Sequence, residues 1–307
     1  MNVIRSATEL TNGSRKVCLA IGVFDGVHLG HQQIIRQAIA DARQHEGIAL
    51  VVTFDKHPNT VVAPSRVPPL IYSQPQKTRA IESLGTGALL EIPFTYEFSQ
   101  QTGDQFIRSL ARDLGRIQSI CVGADFVFGH KRSGNVALLK TLGVELDYQV
   151  HGLAAVALDG QTVSSTRIRE VIRAGDFDAA SQMLGRAYAL AGKVIPGDQL
   201  GHKLGFPTAN LDTTGLLLPS NGVYAAHAAI GGQTYRAVLN IGIRPTVSQP
   251  TPVPRMEVHL LDFSNELYGQ EMEITFATKL RDEKRFSSLE ELKSQIASDI
   301  TTARSRF

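Results

Sequence analysis

Cysteine is almost absent. Cys18 and Cys121 are the only two in 307 residues, each lies in an apolar run, and no C-x-x-C pair exists. A disulfide framework is thereby excluded, and a zinc site built on cysteines finds no ligands. Both thiols are expected in the core. No run approaches ~18 apolar residues, and the opening stretch MNVIRSATELTNGSRK has no apolar segment of the signal-peptide kind. The expectation is a soluble, cytoplasmic protein. An excess of either charge is missing too. Lys plus Arg number 31 against 29 Asp plus Glu, a formal net charge of +2, so neither nucleic acid nor a membrane is expected as partner. Two nucleotide signatures are absent as well: neither G-x-x-x-x-G-K-[ST] nor G-x-G-x-x-G occurs, which leaves Walker and Rossmann dinucleotide sites without support.

What is present has order. A length of 307 residues suggests two domains, and apolar and charged fractions of 43% and 20% suit a packed core. The apolar runs at 16–24 and 48–54 read as buried strands around a helix at 32–46, where Ile34, Ile35, Ala38, Ile39 and Ala42 recur at helical spacing. The pattern repeats with strands at 88–92, 117–122 and 144–150 and helices at 104–114 and 133–142. It predicts an α/β fold, a doubly wound, mostly parallel sheet with helices on both faces. Ligands then bind beyond the carboxyl ends of the strands, so the turns after Phe24, Phe54 and Val122 should face one cleft. Near Gly185 the texture changes to short strands, with a hairpin signal at Gly231-Gly232-Gln233. A last helix opens with Ser287 and Glu290 in capping-box spacing. This half predicts a small antiparallel β-barrel with a C-terminal helix. The domains are placed at 1–184 and 189–307, and the proline-bearing stretch 245–254 reads as a mobile loop. The sequence assigns no oligomeric state.

Four motifs carry chemistry. In GVFDGVHLGHQ, residues 22–32, Gly22, Gly26 and Gly30 let the backbone turn tightly around Phe24 and Asp25 and approach a ligand. His28 and His31, three apart, can face the same way in a first helical turn. A helix N-terminus favours phosphate, and imidazole donors add charge stabilisation. The plain alternative is a tight turn with two surface histidines; a metal site lacks a third ligand. In VSSTRIR, residues 163–169, Ser164, Ser165 and Thr166 can cap a helix while binding phosphate. Arg169 offers a planar fork on the same face as Thr166, though an ordinary N-cap with surface arginines fits the same string. In GHKLGFPTANLD, residues 201–212, Pro207 keeps Phe206 extended. Thr208 and Asn210 then point one way, with oxygens suited to Mg²⁺ or to nothing more than a polar turn. In MEVHLLDF, residues 256–263, Glu257 and His259 share a strand face, and a carboxylate on a rigid strand can serve as general base. An isolated strand glutamate is more often simply exposed.

Together, in this order, these motifs resemble the bacterial bifunctional riboflavin kinase/FAD synthetase family, over about residues 15–300. FDKHP (54–58), GADFVFG (123–129), LGRAY (184–188), NIGIRPT (240–246) and LYG (267–269) belong to the same resemblance. It implies an N-terminal FMN adenylyltransferase of the HxGH kind. There His28 and His31 hold ATP phosphates, Ser165, Thr166 and Arg169 close on the β and γ phosphates, and Ser164 belongs to the same nucleotide site. Gly22, Phe24, Asp25, Gly26 and Gly30 shape that site, with Asp125 and Phe126 at the cleft. It implies a C-terminal riboflavin kinase in which Gly205, Pro207, Thr208 and Asn210 hold Mg-ATP, Thr208 and Asn210 serving the metal. Glu257 is the base toward the ribityl 5′-hydroxyl, and the flavin lies under the segment that starts at Arg281. Riboflavin, FMN, FAD and ATP are the implied substrates and products. Lys56, Val127, Ala187 and His202 depart from the family's usual proline, basic residue, proline and arginine.

Overall fold

Val17, Leu19 and Ile21 alternate with Cys18 and Ala20 along one strand, and all five side chains are buried. A strand covered on both faces belongs in the middle of a parallel sheet. In the computed structural model, which describes every residue except 11, 12, 14, 198, 199 and 244–253, that is its place. The six strands β1 (Asn2–Ile4), β2 (Val17–Ile21), β3 (Ile48–Phe54), β4 (Ala88–Ile92), β5 (Ile117–Gly123) and β6 (Gln149–Leu153) run parallel in the order β1-β4-β3-β2-β5-β6. Cys18 and Ala20 pack with Ile35, Ala38 and Ile39 of helix α1 (Leu29–Gln44) and with Ile81 of α2 (Gln74–Glu82). Val17, Leu19 and Ile21 pack on the other face with Phe106, Ile107 and Leu110 of α3 (Gly103–Leu114) and Leu139 of α4 (Val136–Leu146). The sheet is doubly wound. Strand order reverses between β2 and β5, and such a switch point opens a crevice at the strands' carboxyl ends. The turns after Ile21 and Gly123 border it.

Some boundaries differ from the sequence reading, each for a local reason. The strand expected at 16–24 stops at Ile21, because the chain turns at Gly22 and Phe24 takes a left-handed φ of 54°. The helix expected at 133–142 starts after Asn135, whose side chain accepts from Leu138 N at 3.0 Å, and runs to a left-handed Asp147. The strand expected at 144–150 therefore begins only at Gln149.

Packing divides the chain into two units, Met1–Pro68 with Gln74–Ser165, and Pro69–Ser73 with Thr166–Phe307. The helices α5 (Ser165–Ala174) and α6 (Phe177–Leu184) lead into the second unit's barrel. Phe177 stacks on Phe276 at 4.8 Å and on Tyr188 at 6.0 Å, so α6 is part of the barrel's core. The segment Pro69–Ser73 joins the same unit through Leu70, which gives its N–H to the Gly215 carbonyl and accepts from Leu217 N. The barrel closes as β7 (Ala189–Ile195), β8 (Ala209–Leu211), β11 (Pro254–Leu260), β10 (Gln233–Ile243), β9 (Gly222–Ile230) and β12 (Glu271–Arg281), all neighbours antiparallel. Closure leaves no unpaired edge among the described strands of the barrel. Gly231 and Gly232, with φ of 57° and 80°, form the two-residue turn between β9 and β10. Helix α7 (Leu289–Arg304) buries Ala303 against Val223, Ala225 and Val238. Its cap is one residue later than expected: Ser288 accepts from Glu291 N, while Glu291 reaches back to Ser287. The stretch expected as a mobile loop, 245–254, lies outside the described residues up to 253. Among the described residues no helix is long and apolar enough to cross a membrane.

Candidate active sites

The turn from Gly22 to the start of α1 is built without slack. Val27 has a φ of 42° and Gly26 one of 78°. A Cβ on Gly22 would stand 2.9 Å from the Phe24 ring, which is itself fully buried. Gln32 gives its side-chain amide to the Val27 carbonyl at 3.0 Å, closing the turn from inside the helix. His28 is the N-cap of α1, and its ring makes no capping bond. It stacks instead on His31, with centroids 3.6 Å apart and planes 21° off parallel. Both imidazoles therefore present their edges together, as the three-residue spacing predicts. They line a cavity of about 560 Å³ with Gly22, Phe24, Gly30, Asp125, Phe126, Ser164 and Ser165. Ser165 anchors its rim by donating to the Asp25 carbonyl at 3.0 Å. Thr166 and Arg169 belong to the second unit. There Thr166 is exposed, while Arg169 is 8% exposed and gives Nε to the Pro69 carbonyl at 2.8 Å.

Beside this histidine-lined cavity lies an aromatic one that the motifs did not announce. It measures about 620 Å³ and is walled by Phe54, Phe94, Phe98, Phe106, Phe126 and Phe128. Edge-to-face and stacked contacts at 5.1–6.1 Å run continuously through these rings. Offset and perpendicular pairs of this kind hold aromatic walls in fixed orientation. Gln101 lines it too, and its buried Oε1 has no hydrogen-bond partner among the described residues.

In the barrel, register makes the second site. Glu257 on β11 stands directly opposite Asn210 of β8 on one side and Asn240 of β10 on the other. Cross-strand partners lie on one face of the sheet, so a carboxylate is flanked by two amides. Two residues on, His259 gives Nδ1 to the Pro207 carbonyl at 2.8 Å, pinning the segment that carries Thr208. Gly205, at φ 87° with open space around it, turns the chain into that segment. Two cavities meet here. One, of about 250 Å³, holds Glu257, Asn240, Phe206, Arg281 and Phe286; the other, of about 490 Å³, holds His202, Pro207 and Tyr268. Thr208 lines both. Arg281 faces the first cavity with its guanidinium locked in a two-pronged ion pair on Asp299, which is 5% exposed.

Two family models match the sequence, "FAD synthetase" over residues 11–167 and "Riboflavin kinase" over residues 184–307. Among curated relatives, the bifunctional riboflavin kinase/FMN adenylyltransferase of Escherichia coli strain K12 is 34% identical, covering 100% of this chain and 98% of its own length. The protein of that description from Pseudomonas fluorescens is 36% identical over 99% and 97%. The chain belongs to the bifunctional riboflavin kinase/FMN adenylyltransferase family. Its FAD synthetase domain is N-terminal and its riboflavin kinase domain C-terminal. Among solved structures, the crystal structure described as "Macrolide-efflux Protein from Streptococcus pneumoniae" superposes with a TM-score of 0.82 at 28% identity, over 98% of both chains. That likeness bears on the fold, a six-stranded parallel sheet followed by a six-stranded barrel and a helix.

Within the FAD synthetase domain, one buried cation escaped the sequence reading. Lys77 is 7% exposed and donates to the Phe54 carbonyl at 2.9 Å and the Thr53 hydroxyl at 3.3 Å. Thr53 in turn donates to the Val23 carbonyl at 3.0 Å, so α2 is tied through β3 to the histidine-bearing turn. Burial pulls the ammonium down from 10.5 to about 8, against the opposing charges of Glu91, Asp25 and Asp55. A base that releases its proton earlier when folded leaves the unfolded chain holding more protons between those values. Stability therefore rises with pH across that window. Relative to a Lys77→Met variant, the native protein should gain up to about 3 kcal/mol between pH 8 and pH 10. Thermal unfolding of both proteins across that range checks it; a difference that stays flat with pH would uncouple this charge from folding.

Proposed function

We propose that the barrel domain transfers the γ-phosphoryl group of ATP to the ribityl 5′-hydroxyl of riboflavin, and that the N-terminal domain joins the resulting FMN to AMP from a second ATP. The observation that carries the reading is a repeated arrangement. In each unit two cavities share part of their lining, and candidate phosphate-holding side chains line them: His28, His31, Ser164 and Ser165 in the first unit and Thr208 in the second. In the kinase, Glu257 takes the hydroxyl proton as the oxygen attacks the γ-phosphorus and ADP leaves. Asn210 and Asn240 hold the carboxylate's rigid strand position, and Arg281 and Phe286 border the flavin. Thr208 and Asn210 supply neutral oxygens, and among the described residues no group of three or more His, Cys, Asp or Glu could cage a metal. That donor set suits Mg²⁺, which keeps waters and substrate phosphates as ligands. When bound it neutralises phosphate charge.

In the FAD synthetase domain, the aromatic cavity takes the isoalloxazine, with the unpartnered Gln101 Oε1 available to a ring N–H. His28, His31, Ser164 and Ser165 hold the triphosphate. No protein nucleophile is required, because positioning and charge neutralisation suffice for such transfers. The functional modules are taken as 1–184 and 189–307, and the work of both is small-molecule chemistry. Incubation with riboflavin, ATP and Mg²⁺, followed by chromatography of the flavins over time, tests the reading. FMN should appear first and FAD later, and EDTA should stop both. FMN without FAD would remove adenylyl transfer from the N-terminal unit, and turnover that persists under strong chelation would refute the metal assignment.

A further inference from the structure

The two cavities of the FAD synthetase domain share a border made of Ile21, Val23, Phe126, Val127 and Arg132. Four of these are apolar. Arg132 alone carries charge, and its exposed side chain has no hydrogen-bond or ion-pair partner among the described residues. Its backbone is strained. Lys131 and Arg132 are consecutive non-glycine residues at φ of 49° and 59°, a conformation that L-residues adopt singly and at a cost. The surroundings enforce it. His130 gives its N–H to the Gln101 carbonyl at 2.7 Å and its Nδ1 to the Ser99 carbonyl at 3.2 Å. Ser133 accepts from Gly103 N at 2.9 Å, and Gly129 lies so close that a Cβ there would be 2.3 Å from Gly103 N. The turn is clamped on both sides to the start of α3. Over-determined strain in a cavity wall is a mark of a functional position.

We propose that Arg132 is a catalytic residue of adenylyl transfer, bridging the FMN phosphate and the α-phosphate of ATP as they meet at the border of the two cavities. This rests on the assignment of flavin to the aromatic cavity and nucleotide to the histidine cavity. Two anionic phosphates must come within bonding distance there. An oxygen of the FMN phosphate forms the new bond to the α-phosphorus, the bond from that phosphorus to the β-phosphate oxygen breaks, and pyrophosphate leaves with the electron pair. A guanidinium offers donors to both phosphates at once, which a lysine's point charge does less well. Its contribution is largest when the pentavalent phosphorus carries its charge, so it acts on the rate more than on binding of either substrate alone.

The test measures FAD formation from FMN and Mg-ATP in the full-length protein for Arg132→Ala, Arg132→Lys and Arg132→Gly. Expected are a fall in kcat of about 10²-fold for Arg132→Ala, a smaller fall for Arg132→Lys, and KM values for FMN and ATP changed by less than about 3-fold. Millimolar guanidinium should restore part of the Arg132→Ala rate, which it would not do for a purely structural residue. Arg132→Gly relieves the left-handed φ and should unfold at no lower temperature than the native protein while losing turnover. Full turnover in Arg132→Ala, or a rise in KM for FMN with kcat retained, would overturn the proposal. Absence of FAD formation in the native protein would instead overturn the assignment of the domain's cavities on which it rests.

Discussion

Glu257→Gln yields a protein that still makes FAD from supplied FMN but converts riboflavin to FMN about 10²- to 10⁴-fold more slowly. The substitution keeps the size and planarity of the side chain and removes only its capacity to accept a proton. Glu257 sits in the middle of β11 with strands on both sides, so its Cβ position is fixed by the ladders to β8 and β10. The variant should therefore unfold at the native temperature, and the loss should sit in kcat rather than in KM for ATP. Measuring both flavin products in one preparation separates the two reactions. A kinase rate equal to the native one would remove Glu257 as the base and leave it as a polar neighbour of Thr208.

Glu257 also shows what was legible beforehand. Alternation along residues 256–263 was enough to put Glu257 and His259 on one face, and the barrel honours it: both line one cavity. What alternation could not reveal is register. Asn240 faces Glu257 because β10 and β11 pair with Asn240 opposite it, and no local pattern in either strand encodes that partner. The same holds for the aromatic cavity. Phe54, Phe94, Phe106 and Phe128 come from four separate stretches of chain, each ring reading locally as a core residue. Lys77 and Asp299 were invisible for a related reason, since each is a single charged residue on a helix whose burial depends on what covers it. The cap of α7 was missed by one position because Ser287-Ser288 and Glu290-Glu291 are degenerate; only geometry selects Ser288. The histidine turn, by contrast, was legible in its residues, though the strand before it ends three residues earlier than its apolar run and the helix after it starts at Leu29. Its glycines, its two imidazoles and its place between a strand and a helix are all local facts.

That locality makes His31→Ala the sharpest test of the N-terminal domain. FAD formation from FMN should fall by about 10²- to 10³-fold, the loss typical when a preorganised donor to developing charge is removed. FMN formation from riboflavin should hold its rate. The turn itself should survive, because the bonds that close it run through Gln32: its N–H to the His28 carbonyl at 2.9 Å and its side chain to Val27. What goes is the ring that stacks on His28 at 3.6 Å and meets Phe24 edge-on at 5.2 Å. His28 would then lose its stacking partner, so part of the loss comes through its neighbour. For that reason the effects of His28→Ala and His31→Ala should not add: the double variant should be little worse than the more damaged single. Additive losses would mean that the two imidazoles act on separate phosphates without depending on each other. A parallel fall in FMN formation would contradict two independent modules, because among the described residues that line the barrel's cavities none belongs to this turn.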